Sequence, residues 1–256
     1  MELQKIDIRG VKFSNVTLDE AAAFVEERIC NGDVTAIYTP NPEIVQKCIE
    51  DNSFYDVINS AELIVPDGIG VVKASRILKT PLKEKVAGIE LGEKVLDIAA
   101  RHGKGVFLFG GKDASRTENG VAIADQCIPV FEEKYPGIKV LGTRDGYCKK
   151  EGEENEETLR LINESGAEVL FVCLGAPLQE KWIFENRACL PNVKIYLGLG
   201  GSLDVYSGNV KRAPKLFIKL GLEWFYRLLC EPYRIGRMMK LPKFYFGTWI
   251  YKFKKK

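Results

Sequence analysis

Histidine is nearly absent from this chain: one residue, His102, in 256. A Ser-His-Asp or Cys-His triad would rest entirely on it. Its position between Arg101 and Gly103, near the expected end of a helix, points instead to a C-terminal cap. Hydrolase chemistry of that kind is set aside. The seven cysteines, at 30, 48, 127, 148, 173, 189 and 230, form no C-x-x-C pair and no metal-ligand spacing, and their number is odd. Reduced thiols follow, most of them small core residues. There is no G-x-x-x-x-G-K-[ST], and no G-x-G-x-x-G stands between a first strand and its helix. Kinase, ATPase and dehydrogenase readings lose their motifs. No D-x-D pair advertises a carboxylate-bound divalent ion holding a nucleotide diphosphate, so neither a metal nor another cofactor is expected. No apolar run approaches the roughly 20 residues that span a bilayer, and Met1-Glu2-Leu3-Gln4-Lys5 lacks the basic-then-apolar order of a secretory signal.

What is present suits a large buried core. Hydrophobic residues make up 46% of the sequence, enough for one α/β domain with an appendage rather than a disordered chain. The net charge of +2 conceals a polarised chain. Residues 211–256 hold 13 Lys or Arg against Glu223 and Glu231 alone, so residues 1–210 are net negative. The tail is also aromatic: Trp224, Phe225, Tyr226, Phe244, Tyr245, Phe246 and Trp249 interleave with its basic residues. That mixture fits an anionic membrane interface. Nucleic acid competes on charge alone, and the acidic remainder of the chain argues against it. The expected division is a catalytic-type α/β domain at 1–210 and a helical appendage at 211–256.

Strand-like runs recur at 34–39, 61–66, 105–109, 138–142, 167–174 and 193–199, separated mostly by amphipathic helical patterns. The alternation predicts a Rossmann-like, mostly parallel sheet with helices on both faces. The run at 167–174 is nearly all apolar, as a central strand buried on both sides should be. Thr17-Leu18-Asp19-Glu20 reads as a capping box, and Glu151 to Glu157 load acid onto the start of a helix. In the tail, Arg212-Ala213-Pro214 opens a helix expected to run to about Leu229, and Pro232 and Pro242 are expected to divide the rest.

Polar residues collect where these strands stop, which is where open α/β sheets build their sites. Val65-Pro66-Asp67-Gly68 leaves the carboxylate of Asp67 at one strand end. Thr39-Pro40-Asn41-Pro42-Glu43 ends another, its two prolines fixing the backbone around the Thr39 hydroxyl and the Asn41 amide. Together they predict one crevice. Gly110 and Gly111 either admit a diphosphate to backbone amides or make a tight turn. Gln179, at a helix start, either bonds a hydroxyl or amide of a ligand or is an ordinary helix N-terminus. Asp204 follows the glycine-rich end Gly198-Leu199-Gly200-Gly201.

Taken in order, Thr39-Pro40-Asn41-Pro42-Glu43, Pro66-Asp67-Gly68-Ile69-Gly70, Val86-Ala87-Gly88, Phe109-Gly110-Gly111, Asp145-Gly146-Tyr147, Gly175-Ala176-Pro177-Leu178-Gln179-Glu180-Lys181-Trp182, Gly200-Gly201-Ser202-Leu203-Asp204 and Gly221-Leu222-Glu223-Trp224 resemble the WecG/TagA/CpsF glycosyltransferase family. The basic aromatic tail is most similar to the members of wall teichoic acid linkage-unit synthesis. The resemblance implies inverting transfer of N-acetylmannosamine from UDP-N-acetylmannosamine to the 4-hydroxyl of N-acetylglucosamine on undecaprenyl diphosphate, at the cytoplasmic face of the membrane. It implies Asp67 as the base that takes the acceptor proton, Thr39 and Asn41 orienting donor sugar or diphosphate, Gln179 touching a sugar, and Tyr147 and Asp204 holding uridine. Where the family has arginine this chain has Lys85, which loses bidentate phosphate binding. Arg212, Arg227, Arg234 and Arg237 of the tail are the further candidates for closing over the donor. At about 1 kcal/mol per basic residue, a third of the tail's cations engaged gives roughly 4 kcal/mol of peripheral membrane binding. Apolar helix faces of an undocked tail are also suited to homo-oligomer formation. The competing readings are a related transferase for another UDP-sugar and a non-catalytic nucleotide-sugar-binding protein.

Overall fold

The alternation of apolar runs and amphipathic segments resolves into a parallel sheet covered on both faces. The computed structural model describes residues 3–230 and 235–254, with the backbone alone at 215, 219, 227, 237, 238 and 254. In chain order the elements are β1 (Lys5–Ile8), β2 (Val11–Ser14), α1 (Leu18–Asn31), β3 (Thr35–Tyr38), α2 (Pro42–Glu50), α3 (Asn52–Asn59), β4 (Leu63–Ile64), α4 (Ile69–Ile77), α5 (Gly88–Arg101), β5 (Gly105–Gly110), α6 (Ile123–Lys134), β6 (Lys139–Arg144), α7 (Gly152–Ser165), β7 (Val169–Cys173), α8 (Leu178–Asn186), β8 (Ile195–Gly198) and α9 (Ser202–Tyr206). Four helices follow: α10 (Lys215–Lys219), α11 (Glu223–Cys230), α12 (Ile235–Met238) and α13 (Lys240–Lys254).

Strands β3 to β8 form one sheet in the order β4-β3-β8-β7-β5-β6, every neighbouring pair parallel. Its side chains alternate between two cores. Ile37, Val106, Leu108, Val169, Phe171, Ile195 and Leu197 pack with α1, α5 and α6. Tyr38, Phe107, Phe109, Leu170, Val172 and Tyr196 pack on the other face with α2, α3 and α8. Burial on both faces explains why these strands read as unbroken apolar runs. All six expected strands are present. The run at 61–66 shortens to two residues because Pro66 has no N–H to give a ladder, yet the pairing continues past it: Val65 donates to Tyr38 O at 3.0 Å and Asp67 to Pro40 O at 3.3 Å.

Helix α1 starts on the expected box. Thr17 Oγ1 accepts from the Glu20 N–H at 3.2 Å, and Glu20 Oε2 accepts from the Thr17 N–H at 2.8 Å. Glu153 and Glu154 lie in the first turn of α7, and His102 is the C-cap of α5, held by Glu26 at 2.7 Å. The antiparallel hairpin β1–β2 has no counterpart among the expected strands. Its two-residue turn places Arg9 at φ 55° and Gly10 at φ 93°, the left-handed pair that matches strand twist, and Tyr55 anchors it by donating to Arg9 O at 2.8 Å.

The tail departs from the expected helices in two ways. The segment after Pro214 is broken at Leu220–Leu222 between α10 and α11, where Gly221 adopts φ 69° and sits against Ile69. Pro242 does not divide the remainder; it lies in the first turn of α13, where its missing N–H leaves no helical bond unmade. Pro232 and Arg234 lie outside the described residues. Helix α13 packs on α2 and α4, with Phe244 and Thr248 wholly buried. Lys240 and Lys243 both bond Glu50, at 2.9 and 2.7 Å, and hold its carboxyl down at about 2.

Phe171 sits in the central strand and is fully buried. Phe171→Ala is expected to cost about 3–5 kcal/mol, read as a fall in the urea midpoint with an unchanged m-value.

Candidate active site at the strand ends

A cavity of about 540 Å³ opens at the carboxyl ends of β3, β4 and β8, and Thr39, Asn41, Asp67 and Lys85 all line it. Local bonds place each of them. Thr39 Oγ1 donates to Gly198 O at 3.2 Å, tying the end of β3 to the end of β8. Gly88 presses against it so closely that a Cβ there would stand 3.0 Å from the hydroxyl oxygen. Asn41 is the N-cap of α2, its Oδ1 accepting from the Ile44 N–H at 3.0 Å, which leaves the amide NH2 as its remaining polar group. Asp67 is half-buried, brought beside them by its own N–H on Pro40 O. The loop carrying Lys85 is held by the Val86 N–H on Pro66 O at 3.0 Å. Two polar strand ends do form one crevice.

The wall mixes charges, Lys73 and Lys85 against Glu43, Asp67 and Glu223, and it includes two helix starts. Helices α4 and α5 begin at the cavity, and neither has a side-chain cap. Their first N–H groups, with no side-chain cap among the described residues, and the positive ends of their dipoles point where a phosphate is stabilised. Gly70 permits the tight meeting of α4 and α2, since a Cβ there would lie 2.5 Å from Pro42 Cγ. Lys85 adds an ammonium, whose Nζ is 3.6 Å from Glu223 Oε2. Glu223, Trp224 and Tyr245 bring the tail to the cavity wall. The motif Gly221-Leu222-Glu223-Trp224 was visible in the sequence without a role, and nothing local distinguishes Tyr245 from the other tail aromatics.

Other candidates stand elsewhere. Gln179 is buried, its Oε1 accepting from the Gly175 N–H at 3.1 Å and the Gly200 N–H at 2.8 Å while its Nε2 donates to Glu180 Oε1 at 2.8 Å. It ties the end of β7 to the end of β8 and does not line the cavity. Gly110 and Gly111 pack backbone on backbone: a Cβ on Gly110 would fall 2.3 Å from Cys173 O, and the Gly111 N–H bonds that same oxygen at 3.4 Å. Tyr147 is exposed on the far side of the sheet end, with the Arg116 guanidinium 4.1 Å over its ring. Asp204 lies in the first turn of α9, outside the cavity lining. Arg212 pairs with Glu90 at 2.5 Å across the start of α5. Arg234 and the side chains of Arg227 and Arg237 lie outside the described residues. Among the described residues no group of three or more His, Cys, Asp or Glu is placed to hold a metal ion.

Comparison with known proteins bears on this arrangement. The profile described as the Glycosyl transferase WecG/TagA/CpsF family matches residues 6–256. The chain is 35% identical over 243 residues to the N-acetylglucosaminyldiphosphoundecaprenol N-acetyl-beta-D-mannosaminyltransferase of Bacillus subtilis, covering 94% of this chain and 90% of that protein. The protein of the same description from Bacillus spizizenii is 39% identical over 208 residues, covering 81% of this chain and 76% of the relative. That from Staphylococcus aureus is 37% identical over 242 residues, with 94% and 90% covered.

One buried acid beside the crevice gives this region a pH signature. Glu180 is 1% exposed, its Oε2 has no hydrogen-bond partner among the described residues, and burial raises its carboxyl to about 7 against the opposing help of Gln179 and Lys47. Stability from the neutral form is fully present below the unfolded value near 4.5 and is lost as pH rises through about 7. Glu180→Gln keeps an acceptor for Gln179 and cannot ionise. Relative to that variant, the wild-type melting temperature is expected to fall between about pH 5 and pH 8 by the equivalent of up to about 3 kcal/mol. Parallel melting curves across that range would contradict it.

Proposed function

The chain belongs to the WecG/TagA/CpsF family of glycosyl transferases, and we propose that it moves N-acetylmannosamine from UDP-N-acetylmannosamine to the 4-hydroxyl of N-acetylglucosamine on undecaprenyl diphosphate. The product belongs to the linkage unit of wall teichoic acid. The relatives' printed names support the transferred sugar and the lipid-linked acceptor. The observation that carries the reading is the placement of the Asp67 carboxylate in one cavity with Thr39, Asn41, Lys85 and the uncapped starts of α4 and α5.

In this reading Asp67 is the general base. It takes the proton of the acceptor hydroxyl as that oxygen attacks the anomeric carbon from the face opposite the departing UDP, which inverts the configuration. The leaving diphosphate gains charge in the transition state, and the N–H groups of α4 and α5 together with Lys85 are fixed dipoles and charge placed to meet it. The Asn41 NH2 donates to the donor, and Thr39, already bonded to Gly198 O, holds the wall against which the donor lies. Gln179 serves by holding the loops after β7 and β8. Tyr147 and Asp204 remain the candidates for uridine; neither lines the Asp67 cavity, though Asp204 follows Gly201 and Ser202, which do.

We place the enzyme at the cytoplasmic face of the membrane, held peripherally by its tail. Helix α13 has two apolar faces. Phe244 and Thr248 face the protein, while Phe246, Trp249, Ile250 and Phe253, at helical spacing, are 70%, 47%, 42% and 67% exposed. An apolar face left open on a basic helix is suited to the boundary of an anionic bilayer. No helix among the described residues is long and apolar enough to cross a membrane.

Asp67→Asn is expected to lower acceptor-dependent UDP release by about 10²–10⁴-fold while KM for the UDP-sugar changes little; retention of wild-type kcat removes Asp67 as the base. Inactivity of the wild type with UDP-N-acetylmannosamine but turnover of another UDP-sugar would move the reading to a different surface polysaccharide. No turnover with any donor would favour a binding protein. Deleting residues 211–256 is expected to abolish most turnover on a lipid acceptor, since Trp224 and Tyr245 line the cavity; full activity of the truncated chain would exclude a part for the tail arginines.

A further inference from the structure

Away from the Asp67 cavity, the hairpin β1–β2, the end of α4 and the last turns of α13 enclose a second cavity of about 340 Å³. Lys5, Asp7, Lys79, Thr80, Tyr251 and Lys252 are among its lining residues. Its charge is unbalanced, three ammonium groups against one carboxylate, and the carboxylate is engaged: Asp7 Oδ1 accepts from the Gly10 N–H at 3.1 Å and faces the Tyr251 hydroxyl at 3.4 Å. Lys5 is also tied down, donating to Ser14 Oγ and Glu62 O, both at 3.0 Å. Lys79 and Lys252 are not: among the described residues neither makes an ion pair. Lys79 is exposed just past the end of α4, in the left-handed conformation at φ 64°.

The cavity is continuous with the open apolar face of α13. Lys252 lines it and at the same time lies with its Nζ 4.8 Å over the ring of Trp249. Trp249 in turn stacks on Phe253, their centroids 6.5 Å apart. A single side chain thus joins a cationic recess to an aromatic surface, and tryptophan is the side chain that settles at the level of lipid headgroups. A ligand matching both parts has a singly charged phosphodiester next to an apolar body.

We propose that this recess is a headgroup site for an anionic phospholipid, whose phosphate lies between Lys79 and Lys252 while Phe246, Trp249, Ile250 and Phe253 enter the acyl boundary. The proposal rests on the membrane reading given above and adds to it a discrete site, where diffuse attraction between tail and bilayer requires none. Such a site sets the rotation of the protein about α13, because the recess is built from the body of the protein as well as from the tail.

The test is sedimentation of the full chain with phosphatidylcholine vesicles, with and without phosphatidylglycerol, at fixed salt. Thr80→Trp fills the recess without changing charge, and Lys79→Ala/Lys252→Ala empties it of its unpaired cations. Both are expected to weaken binding to the phosphatidylglycerol vesicles, the first by about five-fold and the second by about ten-fold, with binding to phosphatidylcholine alone and UDP release on a short-chain soluble acceptor unchanged. Loss in the double variant with wild-type binding by Thr80→Trp, its melting temperature intact, means diffuse attraction and overturns the site. Should Thr80→Trp not fold, added soluble glycerophosphoglycerol takes its place: displacement of the wild type but not of the double variant supports the site, and no displacement of either overturns it. Trp249→Ala/Phe253→Ala reads the membrane assignment separately. Undiminished binding of that variant to both vesicles removes the apolar anchoring, and with it the proposal, while leaving transferase chemistry at Asp67 untouched.

Discussion

A sheet buried on both faces has no water-facing surface except at its strand ends, and this constraint organises the molecule. Every strand of the sheet except the half-exposed edge strand β6 sends alternate side chains into one of two apolar cores, so a polar side chain within those strands would have to be buried with a partner. The chain meets this by placing its polar residues one to four positions after the strands stop. Thr39, Asp67 and Ser202 are all of that kind. Helices α4 and α5 then start at the same edge, so their first N–H groups face the place where the carboxylate stands. The juxtaposition of a carboxylate with anion-stabilising dipoles follows from parallel topology itself.

Holding that edge in shape falls to buried polar groups set behind it. Gln179 gathers two backbone N–H groups from the loops after β7 and β8 on one oxygen, and its own NH2 is fixed by Glu180. Reversing the amide would set NH2 against two donors, so its orientation is determined. Glu180 has the cost of a wholly buried carboxyl, and Tyr38 donates to its backbone oxygen at 3.1 Å from the neighbouring strand β3. Three strand ends are therefore held in register by hydrogen bonds set behind the cavity lining.

How much of this was legible in the sequence depends on how local each feature is. The Thr17–Glu20 box, the acid at the start of α7, the cap at His102 and the six core strands all lie within a few residues of the signals that announce them. The crevice joining Asp67 to Thr39 and Asn41 was legible because each residue ends a strand, and strands of a parallel sheet end on the same side. The hairpin escaped because Lys5–Ile8 and Val11–Ser14 are four residues each, too short for a period of two to stand out among charges. For Gln179 the sequence leaves a ligand bond and an ordinary helix start both open, because its partners, Gly175 and Gly200, arrive from two separate strand ends. The continuation of α13 through Pro242 turned on where the helix begins, which the proline alone does not say.

The pair Lys85–Glu223 spans the chain from the loop before α5 to the first turn of α11. Its two members come from the catalytic edge and from the tail, and only one of them is a cation. In the proposed reading, an anion seated at Lys85 and a tail held through Glu223 would draw on the same ammonium, which would link the two equilibria. Whatever factor the anion takes from the hold of the tail, the docked tail takes from the affinity for the anion. Under that reading, the position of the basic tail would respond to what occupies the crevice, without any residue dedicated to signalling between them.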